Sequence, residues 1–153
     1  MALKLLVPLD GSPQSESVFP TVLALAAKAE TTATLVRCYE PISAVYSLPD
    51  LIALDTYTVF NETIPTSMLA YLEARQAELG EVVRKVEVRQ GPAAFEILAL
   101  AQSDQVDMVV MASHGRRGLG RWLLGGVTTK VVRSSPKPVL VVAGPDIREP
   151  GGP

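Results

Sequence analysis

Val106 to Thr129 reads VDMVVMASHGRRGLGRWLLGGVTT. Its first seven residues, Val106 to Ala112, form a valine-rich apolar run of strand length, the pattern of a strand buried on both faces. Val127, Val131 and Val132 then recur at helical spacing. Between strand and helix, Met111 to Thr129 carries five glycines and three arginines and contains no acidic residue. A strand that passes into a helix through such a loop leaves backbone N–H groups and the positive end of the helix dipole open to an anion.

Read outward from that unit, the chain alternates. Leu3 to Leu9 (LKLLVPL) is a short strand ended by Asp10-Gly11-Ser12-Pro13, with Ser12 placed as an N-cap and Pro13 at the first helical position. Val18, Val22, Leu25, Ala26 and Ala29 then give one helical stripe, and Thr31 to Tyr39 is a second strand. Glu40 to Thr63 has prolines at 41 and 49 and no steady period, which reads as a long mobile connection. Pro65 opens a helix through Met68, Leu69, Leu72 and Leu79, stopped by Gly80. Val82 to Arg89 alternates like a strand near a sheet edge; Gly91-Pro92 turns into a helix bearing Ala94, Ile97, Leu98 and Ala101. Pro138 to Ala143 is the last strand. Five strands alternating with helices predict an α/β fold, a single open parallel sheet with helices on both faces. Residues 1–145 form one domain in this reading, and 146–153, rich in Gly and Pro, a flexible tail.

The totals limit function. At 153 residues, 48% hydrophobic and 20% charged, the chain is sized for one globular core. Only about five apolar residues precede Pro8 and Asp10, too few for a signal peptide or a membrane span, so the expectation is a cytoplasmic protein with no membrane partner. One cysteine, Cys38, and one histidine, His114, supply neither a disulfide nor a metal cluster, and no metal ligands are nominated. A net charge of -2 argues against a nucleic-acid partner. Yet Met108 to Pro145 holds no Asp or Glu, where an even scatter would place about four, while it carries Arg116, Arg117, Arg121, Lys130, Arg133 and Lys137. Local positive charge of that extent suits a small anion.

In open α/β sheets the ligand lies beyond the carboxyl ends of the strands where the strand order reverses. That rule selects Pro8-Leu9-Asp10, the end of the second strand at Cys38, and the glycine-rich loop. Asp10 can bond ribose hydroxyls while the loop holds phosphate, although an Asp-Gly-Ser turn is also an ordinary turn former. Gly115 to Trp122 nearly spells a P-loop, but Arg121 stands for the lysine and Trp122 for the magnesium-binding hydroxyl. No GxGxxG follows the first strand and no GxSxG elbow occurs, so hydride and acyl transfer have little support and no catalytic residue is nominated.

The spacing Ala112-Ser113-His114-Gly115, nine residues, then Gly125-Gly126 resembles the GxxGx₉G[ST] pattern of the nucleotide-binding branch of the universal stress proteins. VPLDGS around Asp10, DMVVMASHGRRG and SSPKPVLVV are similar to that family too, so the resemblance covers nearly all of residues 2 to 143. It implies a Rossmann-like sheet of strand order 3-2-1-4-5 and a homodimer paired through the last strand, Pro138 to Ala143. It also implies an adenine nucleotide, ATP or else ADP or AMP, with or without Mg²⁺, and a regulatory or stress-response role with at most weak ATP hydrolysis. By position, Asp10 takes the ribose and the backbone at Pro8, Leu9 and Cys38 surrounds adenine. Met111, Ala112, Ser113, His114, Gly115 and Arg116, with Gly125, Gly126, Val127 and Thr128, hold ribose and phosphates.

Two positions depart from the pattern: Ala112 stands for its first glycine and Gly126 for its final hydroxyl residue. A methyl at 112 crowds a nucleotide if the backbone there needs a positive φ and fits if it is extended. The missing hydroxyl removes one phosphate bond, about 1.5 kcal/mol or tenfold in affinity, unless Thr128 supplies it instead. The alternative is therefore an interaction protein of the same family that binds no nucleotide. The apolar residues between 41 and 60 read equally as a lid over the base, a dimer contact or a packed loop.

Overall fold

The computed structural model describes residues 1–41, 52–113 and 124–143. Five strands, β1 (Leu3–Pro8), β2 (Thr31–Tyr39), β3 (Val83–Gln90), β4 (Met108–Ala112) and β5 (Val139–Val142), form one sheet in the order β3-β2-β1-β4-β5. Every neighbouring pair is parallel. The helices are α1 (Pro13–Glu16), α2 (Phe19–Lys28), α3 (Ile52–Leu79), α4 (Ala93–Ala101) and α5 (Gly126–Ser134), with a 3-10 turn at Gly80–Val82.

The period of two along each strand sorts the core into two layers. Leu5, Val7, Ala33, Leu35, Val110 and Ala112 pack with Val18, Phe19, Val22, Leu72 and Leu79, which puts α2 and α3 on one face. Leu6, Val36, Val109 and Met111 pack with Ile97, Ala101 and Val131, which puts α4 and α5 on the other. The expected fold and strand order are those observed.

Two helices differ from the sequence reading. The helix expected from Pro13 is broken into α1 and α2, because Pro20 has no N–H to continue the ladder and the chain restarts at Phe19. Ser12 does cap α1, its hydroxyl accepting the Ser15 N–H at 3.2 Å.

More of the segment after β2 is regular than its composition suggests. The connection expected over 40–63 is helical from Ile52, and Pro65 lies inside α3 instead of opening it. Pro65 removes one helical hydrogen bond, but Thr66 and Ser67 turn their hydroxyls back to the Glu62 and Ile64 carbonyls at 2.8 and 2.9 Å. Residues 61–70 of α3 present no fully buried side chain, and Pro65 falls where a helix start would be read. Residues 42–51 lie outside the described residues, as do 144–153, on which the tail expectation falls.

Candidate functional site

β1 and β4 are neighbours at the point where the strand order reverses. Their ladder pairs only Leu5 with Met108 and Leu6 with Val109. Past that point β1 follows β2, with Pro8 opposite Val36 and the Leu9 N–H donating to the Val36 carbonyl at 2.8 Å. β4 instead follows β5, with Ala112 opposite Val142 and the Ser113 N–H donating to the Val142 carbonyl at 3.0 Å. The ladder between the two central strands thus stops at Leu6 and Val109, and their carboxyl ends frame the crevice expected at a switch point.

On the β1 side, Asp10 is exposed and its Oδ1 accepts the Ser12 N–H at 2.8 Å. Ser15, buried, locks the same turn: its hydroxyl donates to the Ser12 carbonyl at 2.8 Å and accepts the Asp10 N–H at 3.3 Å. The ordinary turn role of Asp10 is therefore real, and it occupies one carboxylate oxygen. Gly11 sits at φ +85°, the left-handed region glycine tolerates, which is what allows the chain to double back into α1. α1 packs against β4, so this turn and the base of the glycine-rich loop are close neighbours. Leu9 is buried in the core; the Cys38 backbone lies beyond the last β1–β2 rung. The Cys38 side chain packs on the α4 face, and burial, then Glu96, push its thiol up to about 11, with Arg89 opposing.

On the β4 side the two ends of the loop meet. The Gly125 N–H donates to the Ser113 carbonyl at 2.8 Å, bringing the two motif halves into contact across residues 114 to 123. Gly125 is the N-cap of α5 and carries no side-chain cap, so the N–H groups of Gly126, Val127 and Thr128 open the helix without intrahelical partners. Ala112 lies in extended strand backbone with its methyl in the core, so it does not crowd the cleft. A Cβ built on Gly126 meets no atom of the described residues within 4 Å.

The Thr128 hydroxyl does something other than the sequence suggested. It is buried and donates to the Ala112 carbonyl at 3.0 Å, tying α5 to the end of β4, so its proton is not directed at a ligand. Among the described residues, Lys130, Arg133 and Lys137 make no ion pair, whereas Lys85 and Arg89 on β3 are matched by Glu87 and Glu96. Met111 is buried on the α4–α5 face. His114, Gly115 and Arg116 lie outside the described residues, as do Arg117, Arg121 and Trp122.

Sequence reasoning missed a group beside the Asp10 turn. Arg37 of β2 has its Cζ 5.0 Å from the Tyr71 ring centroid, and the Arg75 Cζ lies 5.7 Å from the same centroid. Tyr71 donates to Glu16 of α1 at 2.6 Å, and Arg75 lies 3.5 Å from the same carboxylate. Burial and that bond hold the Tyr71 hydroxyl well above the ordinary phenol range. The one available signal was parity: Arg37 continues the core-facing alternation of Ala33 and Leu35, a position where a charge needs a partner.

An open, doubly wound α/β domain with an uncapped helix N-terminus and a carboxylate-bearing turn at its switch point is the class defined here. The chain belongs to the universal stress protein family, whose model matches residues 1–143. It is similar to universal stress protein MJ0531 of Methanocaldococcus jannaschii, 28% identical over 144 residues that cover 93% of this chain and 82% of that protein. Universal stress protein MJ0577 of the same organism is 41% identical over 73 residues, so the match spans 46% of this chain and less than half, 45%, of that relative. The solved structure of MJ0577 superposes with a TM-score of 0.76 at 26% identity, covering 94% of this chain and 96% of that one. A universal stress protein in complex with cAMP has a TM-score of 0.55 at 22% identity over 93% of this chain and 97% of that one, a likeness of fold.

Proposed function

We propose that this protein binds an adenine nucleotide in the β1–β4 cleft and works as a dimeric, cytoplasmic regulatory or stress-response protein. The observation that carries the reading is the Gly125 to Ser113 bond, which gathers the strand end and the uncapped start of α5 beside the Asp10 turn. Phosphates suit the N–H groups of Gly126 and Val127 and the acid-free segment that carries them. Asp10 keeps its second carboxylate oxygen for a ribose hydroxyl, since only Oδ1 is used by the turn. The backbone at Pro8, Leu9 and Cys38 provides the edge against which adenine lies. ATP is the expected ligand, ADP and AMP its competitors, and Mg²⁺ would enter on the phosphates. Family membership and the cAMP complex of a protein of the same fold lend support.

Dimerisation belongs to the same reading. β5 is a terminal strand with one open edge, and an antiparallel second copy satisfies it symmetrically. Titration of ATP with and without magnesium by calorimetry tests the reading: saturable binding is expected, and no heat at millimolar nucleotide would end it.

A second reading draws on Gly126 and Thr128. The first has no hydroxyl and the second spends its own on Ala112. An interaction protein of the family without a nucleotide would have the same dimer and no ATP heat. Turnover well above contaminant level, lost on Asp10→Ala, would support a hydrolase in place of both.

A further inference from the structure

We propose that Arg37 and Tyr71 are positioning residues for the nucleotide cleft: together they brace the Asp10-Gly11-Ser12 turn and thereby set how strongly the site discriminates in favour of ribose hydroxyls. The inference rests on the nucleotide reading above and adds to it two residues from other elements, β2 and α3.

The geometry around the turn carries it. A Cβ built on Gly11 would lie 2.8 Å from Arg37 Nη2 and 2.9 Å from both Cζ and Nη1. Near-equal distances to three atoms of one plane mean that the guanidinium lies face-on against the Gly11 backbone. The same guanidinium contacts the Tyr71 ring at 5.0 Å, within the range in which a cation is attracted to an aromatic face. Tyr71 then reaches the far side of the turn through its hydroxyl, which donates to Glu16 at 2.6 Å. One aromatic residue of α3 therefore grips both flanks of a short turn: Gly11 through Arg37, and α1 through Glu16.

What the brace protects is an exposed bond. The Asp10 carboxylate is oriented by one Asx contact, Oδ1 to the Ser12 N–H at 2.8 Å. An exposed contact of this kind contributes little by itself and competes with water. Gly11 brings the conformational freedom that makes the turn possible and also makes it loose. The flat arginine face fills the space that a side chain would occupy, so the turn keeps its positive φ without the freedom of an uncovered glycine. Among the described residues Arg37 makes no ion pair, whereas Arg75 and Arg89 each have carboxylate partners, so its contacts with Gly11 and Tyr71 are what hold it.

The test compares ATP with 2′,3′-dideoxy-ATP on the intact protein and on Arg37→Met, Tyr71→Leu and Tyr71→Phe, each first checked for a native thermal transition. Arg37→Met keeps the aliphatic bulk and loses the flat face. It is expected to weaken ATP by about tenfold, the scale of one charge-assisted bond, and leave dideoxy-ATP unchanged, so that the preference between the two collapses. Tyr71→Leu should do the same, Tyr71→Phe should retain only part of the preference because the ring face remains while the bond to Glu16 is lost, and Arg37→Met should add nothing to Asp10→Ala. Equal weakening of both nucleotides, or of neither, overturns the proposal. A second readout needs no nucleotide: in Arg37→Met the Ser12 amide should exchange with solvent about tenfold faster by NMR while the core amide of Val109 does not change. An unchanged Ser12 amide overturns the brace even if ATP binds, whereas a faster Ser12 amide in a protein that binds no ATP sustains the brace and refutes the nucleotide reading alone.

Discussion

Gly126→Ser restores the hydroxyl that the family pattern carries, and the structure allows its effect to be worked out. Gly126 is the first residue of α5, exposed, with a negative φ, and a Cβ added to it meets no atom of the described residues within 4 Å. No described group opposes the new side chain. In the proposed complex the serine hydroxyl adds one hydrogen bond to a phosphate oxygen, contributing about 1.5 kcal/mol, so ATP should bind about tenfold more tightly. Replacing glycine in the first helical turn also stabilises the unliganded protein by roughly 0.5 kcal/mol, which a urea titration measures separately. Calorimetry with ATP and with adenosine on both proteins is the decisive assay, because adenosine has no phosphate to receive the bond. A tenfold gain for ATP with none for adenosine is expected. Equal ATP affinity in the two proteins, or an equal gain for adenosine, would refute the placement of phosphate at the start of α5.

Three other outcomes follow from particular contacts. Thr128→Val should destabilise the fold by about 1–3 kcal/mol in urea denaturation, since it strands a buried Ala112 carbonyl, and Thr128→Ser should recover most of that loss. On the proposed pairing of two copies through β5, Val141→Pro should yield a monomer in sedimentation velocity with the sheet intact. The Pro138 and Val142 carbonyls face β4, so the alternation of the ladder turns the Val141 N–H to the open edge, where Pro removes only the intermolecular donor. The Cys38 thiol, pushed up from 9.0 to about 11 mainly by burial, should resist iodoacetamide at pH 8. The folded state keeps a proton that the unfolded chain releases, so stability should fall as pH rises from about 9 to 11, and Cys38→Ser should lessen that slope and leave the share that the raised Tyr71 hydroxyl contributes.

The alternation of strands and helices was legible because buried parallel strands must be continuously apolar and their crossovers must carry a single apolar stripe. Leu3 to Pro8, Thr31 to Tyr39 and Met108 to Ala112 show the first; α2, α4 and α5 show the second. The first half of α3 shows neither, since its sequence keeps no steady period and Pro65 imitates a start signal. At the site, the residues named from the sequence are those whose type states a need: a glycine run, a strand-end aspartate, a hydroxyl. Their assignment to particular bonds was not legible. Thr128 turned inward because the Ala112 carbonyl at the end of β4 required a donor, and Arg37 met Gly11 and Tyr71 because the fold brings together residues 26 and 34 positions apart from it. Local sequence thus determined most of the elements and which segment is free of acidic residues, properties that depend on neighbours along the chain. Only the tertiary structure decided which hydroxyl is free, where β1 and β4 separate and what braces the Asp10 turn, because each depends on groups distant in sequence competing for one partner in space.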